Sequence, residues 1–192
     1  MESSFFAMLS RMKYISRWSL MRNTLSESLS QHTLETVILS HALAVIHNER
    51  FGGSINAEHI AMLALYHDAS EIITGDLPTP IKYYNEVLRS SYREVEEMAA
   101  DKLTDMLPPY LQGSYSPLLH QKGSAEELRF VKAADKLSAL IKCLEEKNAG
   151  NLEFSSAEQS TMKALKNMEM PEVEVFFEEF IKAYTLTLDQ QG

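Results

Sequence analysis

Cys143 is the chain's single cysteine. One thiol excludes an internal disulfide and suits a reducing compartment, so a cytoplasmic protein is expected. With no activating partner in the sequence, Cys143 reads as a small apolar helix residue. Glycine (7) and proline (6) are scarce over 192 residues, which disfavours turn-rich sheets and favours helices. No apolar run approaches the roughly 20 residues a bilayer crossing needs. The opening Met-Glu-Ser-Ser lacks a basic region followed by an apolar one, so no secretory signal is expected. Positive charge is also in deficit, with Lys+Arg 18 against Asp+Glu 27 and a formal net charge of −9. Such a chain has no general pull toward nucleic acid polymers or anionic membranes. A small phosphate-bearing ligand would need local basic residues.

What remains is ordinary soluble-protein material, 45% hydrophobic and 23% charged. The length suits one domain over 1–192, and the composition suits an all-α, multi-helix bundle. Apolar spacing predicts a helix over about 4–14, then a non-periodic connection over 16–23. Ser28 or Ser30 can cap a helix running to about His47, with Gln31 completing a capping box on Ser28. Leu34, Val37, Ile38 and Leu43 are its expected core face. Asn56 caps the next helix, expected to carry His67 and Asp68 and to end near Gly75. Pro78 and Pro80 stop it. A long helix is expected over about 83–107 and a loop with a short turn over 110–123. Ser124 with Glu127 opens a helix through Asp135, whose core face is Val131, Ala134, Leu140 and Ile141. Two last helices are expected over about 156–168 and 171–187.

Against this background His67-Asp68 stands out, since it places two metal-competent side chains together in an apolar run. Glu71 follows on the same helical face. His32 and Asp135 also lie among apolar residues, where an unpaired ionisable group is costly. Two imidazoles and two carboxylates from such places suit Mn, Co, Fe or Zn, with positions open to water and substrate. The spacing suggests a metal-dependent hydrolase, while a buried salt bridge is the plainer alternative for Asp135. Arg17-Trp18 is a second candidate, a cation beside a large aromatic that can hold a phosphate and flank a sugar or base. The rigid run Gly75-Asp76-Leu77-Pro78-Thr79-Pro80 is a third. It can aim Asp76 and the Thr79 hydroxyl at a ligand, or simply terminate a helix. His41, His47, His59 and His120 carry no such signal.

Taken together, His32, Tyr66-His67-Asp68-Ala69-Ser70-Glu71, Gly75–Pro80 and Lys132-Ala133-Ala134-Asp135-Lys136-Leu137 resemble the HD-domain metal-dependent phosphohydrolases. Phe5-Phe6…Leu9-Ser10-Arg11 and Arg17-Trp18-Ser19-Leu20-Met21-Arg22-Asn23 bring the resemblance closest to the bacterial 5′-deoxynucleotidases of that superfamily. It spans nearly the whole chain. One departure is Ser30-Gln31-His32, where the family tends to have Ser-Glu-His. The resemblance implies an often dimeric helical enzyme that removes the 5′-phosphate from deoxyribonucleoside 5′-monophosphates with a divalent cation such as Co²⁺ or Mn²⁺. It implies His32, His67, Asp68 and Asp135 as metal ligands. Arg17, Trp18, Asp68, Asp76, Leu77, Pro78 and Thr79 would meet substrate, and Arg17, Glu71 and Asp76 would serve catalysis. Two alternatives stay open: an HD phosphohydrolase acting on a cyclic nucleotide, a triphosphate or an alarmone, and a non-catalytic helical scaffold with a structural metal.

Overall fold

The computed structural model describes residues 2–82 and 84–192, excepting the side chains of Thr79 and Pro80. The regular elements among these residues are helices: α1 (Phe5–Leu9), α2 (Leu29–Phe51), α3 (Ala57–Tyr66), α4 (Glu71–Thr74), α5 (Thr79–Lys82), α6 (Glu86–Asp105), α7 (Pro109–Leu119), α8 (Ala125–Asn148), α9 (Ser155–Lys166) and α10 (Pro171–Glu179). An isolated antiparallel bridge pairs Ser16 with Ser28. None of these helices is long and apolar enough to cross a membrane.

Local chemistry sets the helix starts. Ser28 accepts from the Gln31 N–H while the Gln31 side chain accepts from the Ser28 N–H, and Ser124 and Glu127 repeat this box at α8. Each box satisfies two donors that a helix start leaves orphaned. Asn56 and Asn85 cap α3 and α6. At the far end of α2, Gly52 closes the helix at φ 69°, a left-handed conformation that glycine adopts without a Cβ clash.

The main core forms where α8 lies against α2, α3 and α9. Leu39, Leu43, Ile60, Leu63, Ala134, Leu137, Ile141 and Leu165 are all nearly or fully buried there. A smaller core gathers Phe5, Tyr66, Ala69, Leu103, Leu107 and Leu119 from α1, α3, α6 and α7 and from the turns that follow α3 and α6. Helix α3 therefore ends between two cores. Leu63 and Ala64 face the first, while Tyr66 and Ala69 face the second. That anchorage brackets His67 and Asp68 on both sides.

Several boundaries differ from the sequence expectation. The helix does not run through His67 and Asp68 but stops at Tyr66. Residues 67–70 form a tightened turn in which the N–H groups of His67, Ala69 and Glu71 bond three residues back. The His67 ring adds a reason, because its Nδ1 takes the Ala64 carbonyl at 2.7 Å and so competes with the helical ladder. The expected loop over 110–123 is instead largely α7. Pro109 fits its first turn, and Tyr115 stacks edge-on against Phe5 and Tyr66. The segment expected to be helical to about 187 ends as α10 at Glu179, followed by a 3-10 turn over Ile181–Thr185. The first helix likewise tightens to 3-10 over Ser10–Tyr14, and α6 is shorter at both ends than expected. Tyr83, its expected start, lies outside the described residues. On α2, Leu34 and Ile38 are exposed at 62% and 59%. The buried face is Leu29, His32, Thr36, Leu39, Ser40 and Leu43, so the apolar pair lies off the stripe that meets α8.

The segment that leads into α2 is held down by an acid. Glu146, 1% exposed, accepts from the Thr24 and Leu25 N–H groups, from Asn151 and from Lys142. Burial opposes its charge, but these donors outweigh burial and hold the carboxyl well below the usual carboxylate range. A depressed folded-state value adds stability above the ordinary carboxylate range, and that stability is lost as pH falls. Glu146→Ala leaves the buried Lys142 with the Leu25 carbonyl but no counter-charge, and should cost about 3 kcal/mol in chemical denaturation. The deficit relative to wild type should narrow in acid.

Candidate active site and metal centre

Three elements converge on one point. His32 comes from the first turns of α2, His67 and Asp68 from the turn after α3, and Asp135 from the middle of α8. Ligand atoms of His32, His67 and Asp135 all lie within 4.8 Å of one another. Asp68 Oδ2 is 3.0 Å from His67 Nε2 and 3.6 Å from His32 Nε2, and Asp135 Oδ1 is 3.3 Å from His32 Nε2. His32 is fully buried, whereas the Asp135 side chain is 37% exposed. Asp135 is therefore less enclosed than its apolar neighbours in sequence suggest, and it forms the mouth of the cluster.

The outer nitrogen of each imidazole is already engaged. Ser138 Oγ donates to Glu35 Oε2 at 2.6 Å, so its oxygen accepts from His32 Nδ1 at 3.0 Å. Nδ1 of His67 donates to the Ala64 carbonyl. Both Nε2 lone pairs are thus directed at the carboxylates. The Nε2 of His67 is buried with no hydrogen-bond partner, although Asp68 Oδ2 lies 3.0 Å away. Two acceptors in contact are satisfied by a cation placed between them, and a donor set of imidazole and carboxylate fits a divalent transition metal.

Electrostatics point the same way. Burial disfavours a charged His32, but its hydrogen bonds with Asp135 and Asp68 prevail and lift it to about 9. In Asp135 the same His32 overcomes burial and draws the carboxyl down to about 2. Asp68 is held well below its ordinary range, with His67 and His32 outweighing burial. These shifts show that the carboxylates favour positive charge at His32, the same demand that a bound cation would meet.

The other sequence candidates surround this cluster. Arg17 is largely buried and reaches Asp68 at 3.7 Å and Glu27 at 3.4 Å. Trp18 rests against Phe154 with ring centroids 5.3 Å apart. Glu71 begins α4 rather than sharing a helix with His67 and Asp68. It is buried, with Oε2 unpartnered and Oε1 3.9 Å from Lys82 Nζ. Burial first, then repulsion from Asp68 and Asp76, raises its carboxyl to about 9. Asp76 is half-buried within electrostatic reach of Arg17, Asp68, His32 and Lys82, and burial raises it too. Leu77 and Pro78 are half-buried on the same connection, and the Pro78 carbonyl accepts from the N–H groups of Ile81 and Lys82 in α5. The Thr79 side chain lies outside the described residues. Elsewhere, His47, His59 and His120 pair with Glu172, Glu127 and Glu97. Cys143 is buried, and burial pushes its thiol up to about 12.

Sequence reasoning missed the supporting residues. Glu35 and Ser138 stand three positions after His32 and Asp135, so helical spacing could have flagged them. That they meet across α2 and α8 could not be read from spacing. Lys82 bridges Glu71 and Glu96 beside the Tyr92 ring, and Glu27 sits between Arg17 and Trp18. Neither carried a sequence signal.

This architecture is that of the HD-domain phosphohydrolases. One such protein, from Listeria innocua, matches with a TM-score of 0.81 at 25% identity, covering 94% of this chain and 88% of the other. The HD phosphohydrolase of cyanophage S-2L, solved with dA and one catalytic Zn²⁺ ion, shares the fold at TM-score 0.65 and 19% identity, covering 92% and 96%. The family profile described as 5′-deoxynucleotidase YfbR-like matches residues 4–184. 5′-Deoxynucleotidases of Erwinia tasmaniensis and Shigella boydii are each 48% identical to this chain over 190 residues, 98% of it and 96% of theirs. The chain belongs to the YfbR-like 5′-deoxynucleotidase family.

Glu71 yields a direct test. Its folded-state value near 9 lies above the ordinary 4.5. Below the lower value the buried neutral acid costs nothing extra, and as pH rises toward the higher one the unfolded chain gains by ionising. Glu71→Gln removes that pull. The metal-free variant should be more stable than wild type by at least about 1 kcal/mol at pH 8. Thermal melts should converge near pH 4.

Proposed function

We propose that this chain is a metal-dependent phosphoric monoester hydrolase that converts deoxyribonucleoside 5′-monophosphates to deoxyribonucleosides and phosphate. The observation that carries this reading is the orphaned His67 Nε2 facing Asp68, with His32 and Asp135 beside it and Arg17 at 3.7 Å. Family membership supplies the substrate class. His32, His67, Asp68 and Asp135 would hold the cation, and their mixed nitrogen and oxygen donors suit Co²⁺ or Mn²⁺. A divalent cation bound there supplies Lewis-acid polarisation of the phosphate and a water acidified toward neutral pH.

The protein's own groups do the rest. Arg17 offers guanidinium N–H groups to the phosphate oxygens, where charge stabilisation counts most. Asp68, a ligand, also borders the phosphate through its contact with Arg17. Glu71 is enclosed, raised in pKa and close to Lys82, which suits a group that exchanges a proton with water or with the departing 5′-oxygen. Asp76 is the second such carboxyl. Water adds to phosphorus, the bond to the 5′-oxygen breaks, and that oxygen takes a proton. Trp18 would border the sugar and crowd a 2′-hydroxyl, and Leu77, Pro78 and Thr79 would complete the nucleotide's surroundings. The buried free thiol and acidic charge favour a cytoplasmic enzyme that binds neither nucleic acid polymers nor membranes. Exposed Leu34 and Ile38 on α2 favour a homodimer.

Phosphate release from nucleoside mono-, di- and triphosphates, with Co²⁺ or Mn²⁺ added, tests the reading. Deoxynucleoside monophosphates should lead, and preference for triphosphates or cyclic nucleotides would overturn it. Asp68→Ala should lose metal and activity together, checked by metal analysis and turnover. Arg17→Lys keeps charge but loses the planar fork, so kcat/KM should fall about 10- to 100-fold for every monophosphate. Trp18→Ala should instead narrow the deoxy-to-ribo ratio, measured on a matched nucleotide pair.

A further inference from the structure

Arg17 and Trp18 meet at one carboxylate. Glu27 Oε2 accepts from Trp18 Nε1–H at 2.7 Å and from Arg17 Nε–H at 3.4 Å. The Glu27 side chain is only 11% exposed. Its backbone is engaged as well, since the Arg17 N–H donates to the Glu27 carbonyl at 2.9 Å, beside the bridge of Ser16 with Ser28. Trp18 itself has φ 56°, the left-handed region that a bulky residue seldom occupies unless its surroundings impose it. Asn23 Nδ2 and the Met21 N–H both donate to the Trp18 carbonyl and close the turn.

We infer that Glu27 is a positioning residue for both substrate-facing side chains, setting the edge of Arg17 offered to phosphate and the plane of Trp18 offered to the sugar. The inference rests on the function proposed above. The reasoning is geometric. A guanidinium held through Nε keeps its terminal amino groups free to fork onto an anion. Without Glu27, the remaining ion pair of Arg17 among the described residues is with Asp68 at 3.7 Å, and Asp135 and Asp76 pull electrostatically from the same side. Folding onto Asp68 would occupy the phosphate-binding edge and compete for a metal ligand. Trp18 would lose the hydrogen bond that fixes its indole N–H, leaving the ring held by packing such as that against Phe154.

Trp18 is the sole tryptophan, so indole fluorescence reports this residue alone. In wild type, time-resolved anisotropy should show the indole moving with the whole protein. Glu27→Ala should add a fast local component and lower kcat/KM for a deoxynucleoside monophosphate about 10- to 100-fold, mostly through KM. Metal content and helicity should be unchanged. Glu27→Gln keeps an oxygen for the indole N–H but loses the charge facing Arg17. It should keep the slow anisotropy while raising KM for deoxy- and ribonucleotides alike. An indole that stays rigid in Glu27→Ala with kcat/KM within twofold of wild type overturns the inference. So does an activity loss matched by lost metal or helicity in both variants. Should wild type release no phosphate from any nucleotide, the proposed function falls. Anisotropy and the affinity for inorganic phosphate then still decide for or against Glu27.

Discussion

The structure turns on a contact that is unfavourable between bare groups, the His67 Nε2 lone pair against Asp68 Oδ2 at 3.0 Å with no hydrogen bond to justify it. Each imidazole near the cluster is pinned from behind, His67 by the Ala64 carbonyl and His32 by Ser138 backed by Glu35. Neither ring can turn away without orphaning a buried donor. The remaining atoms are therefore committed to face carboxylates, and a cation or a proton must mediate. The fold builds a demand for positive charge before any ligand arrives.

Helix packing enforces that arrangement. The short turn carrying His67 and Asp68 is gripped by two cores, through Leu63 and Ala64 on one side and Tyr66 and Ala69 on the other. A turn anchored at both ends is stiffer than a loop and compact enough to hold an imidazole and a carboxylate from adjacent residues side by side. The tightened hydrogen bonds that end α3 early redirect the chain, so that Glu71 starts a new helix beside Lys82 rather than extending the old one. Stability and chemistry meet at this junction, because the residues that close the cores also aim the polar groups.

Much of the site was legible in the sequence because metal-competent residues in apolar helices violate the ordinary pattern. His32, His67-Asp68 and Asp135 stood out against Leu, Ala and Val neighbours, and the structure brings all four together. The capping boxes at Ser28 and Ser124 were legible for the same local reason, since a cap is a short-range hydrogen bond written in adjacent residues. Helix α7 was not. Its helical state depends on Tyr115 and Leu119 packing against Phe5 and Tyr66, a long-range term that Pro108, Pro109, Pro117 and Gly113 disguise. Leu34 and Ile38 were assigned to the wrong face, because an apolar residue on a helix does not say which neighbour it meets.

Residue type and near-neighbour spacing set the helical class, the starts of α2, α3 and α8, and which metal-competent side chains lie among apolar neighbours. Only the tertiary structure decided who supports them. Ser138 reaches His32 across 106 positions and Glu35 completes the chain from the opposite helix, while Glu27 gathers Arg17 and Trp18 through a bridge between two segments. A carboxylate's role depends on which donors surround it in space, and at such separations the packing of α2 against α8 sets that geometry, not the spacing of residues along the chain.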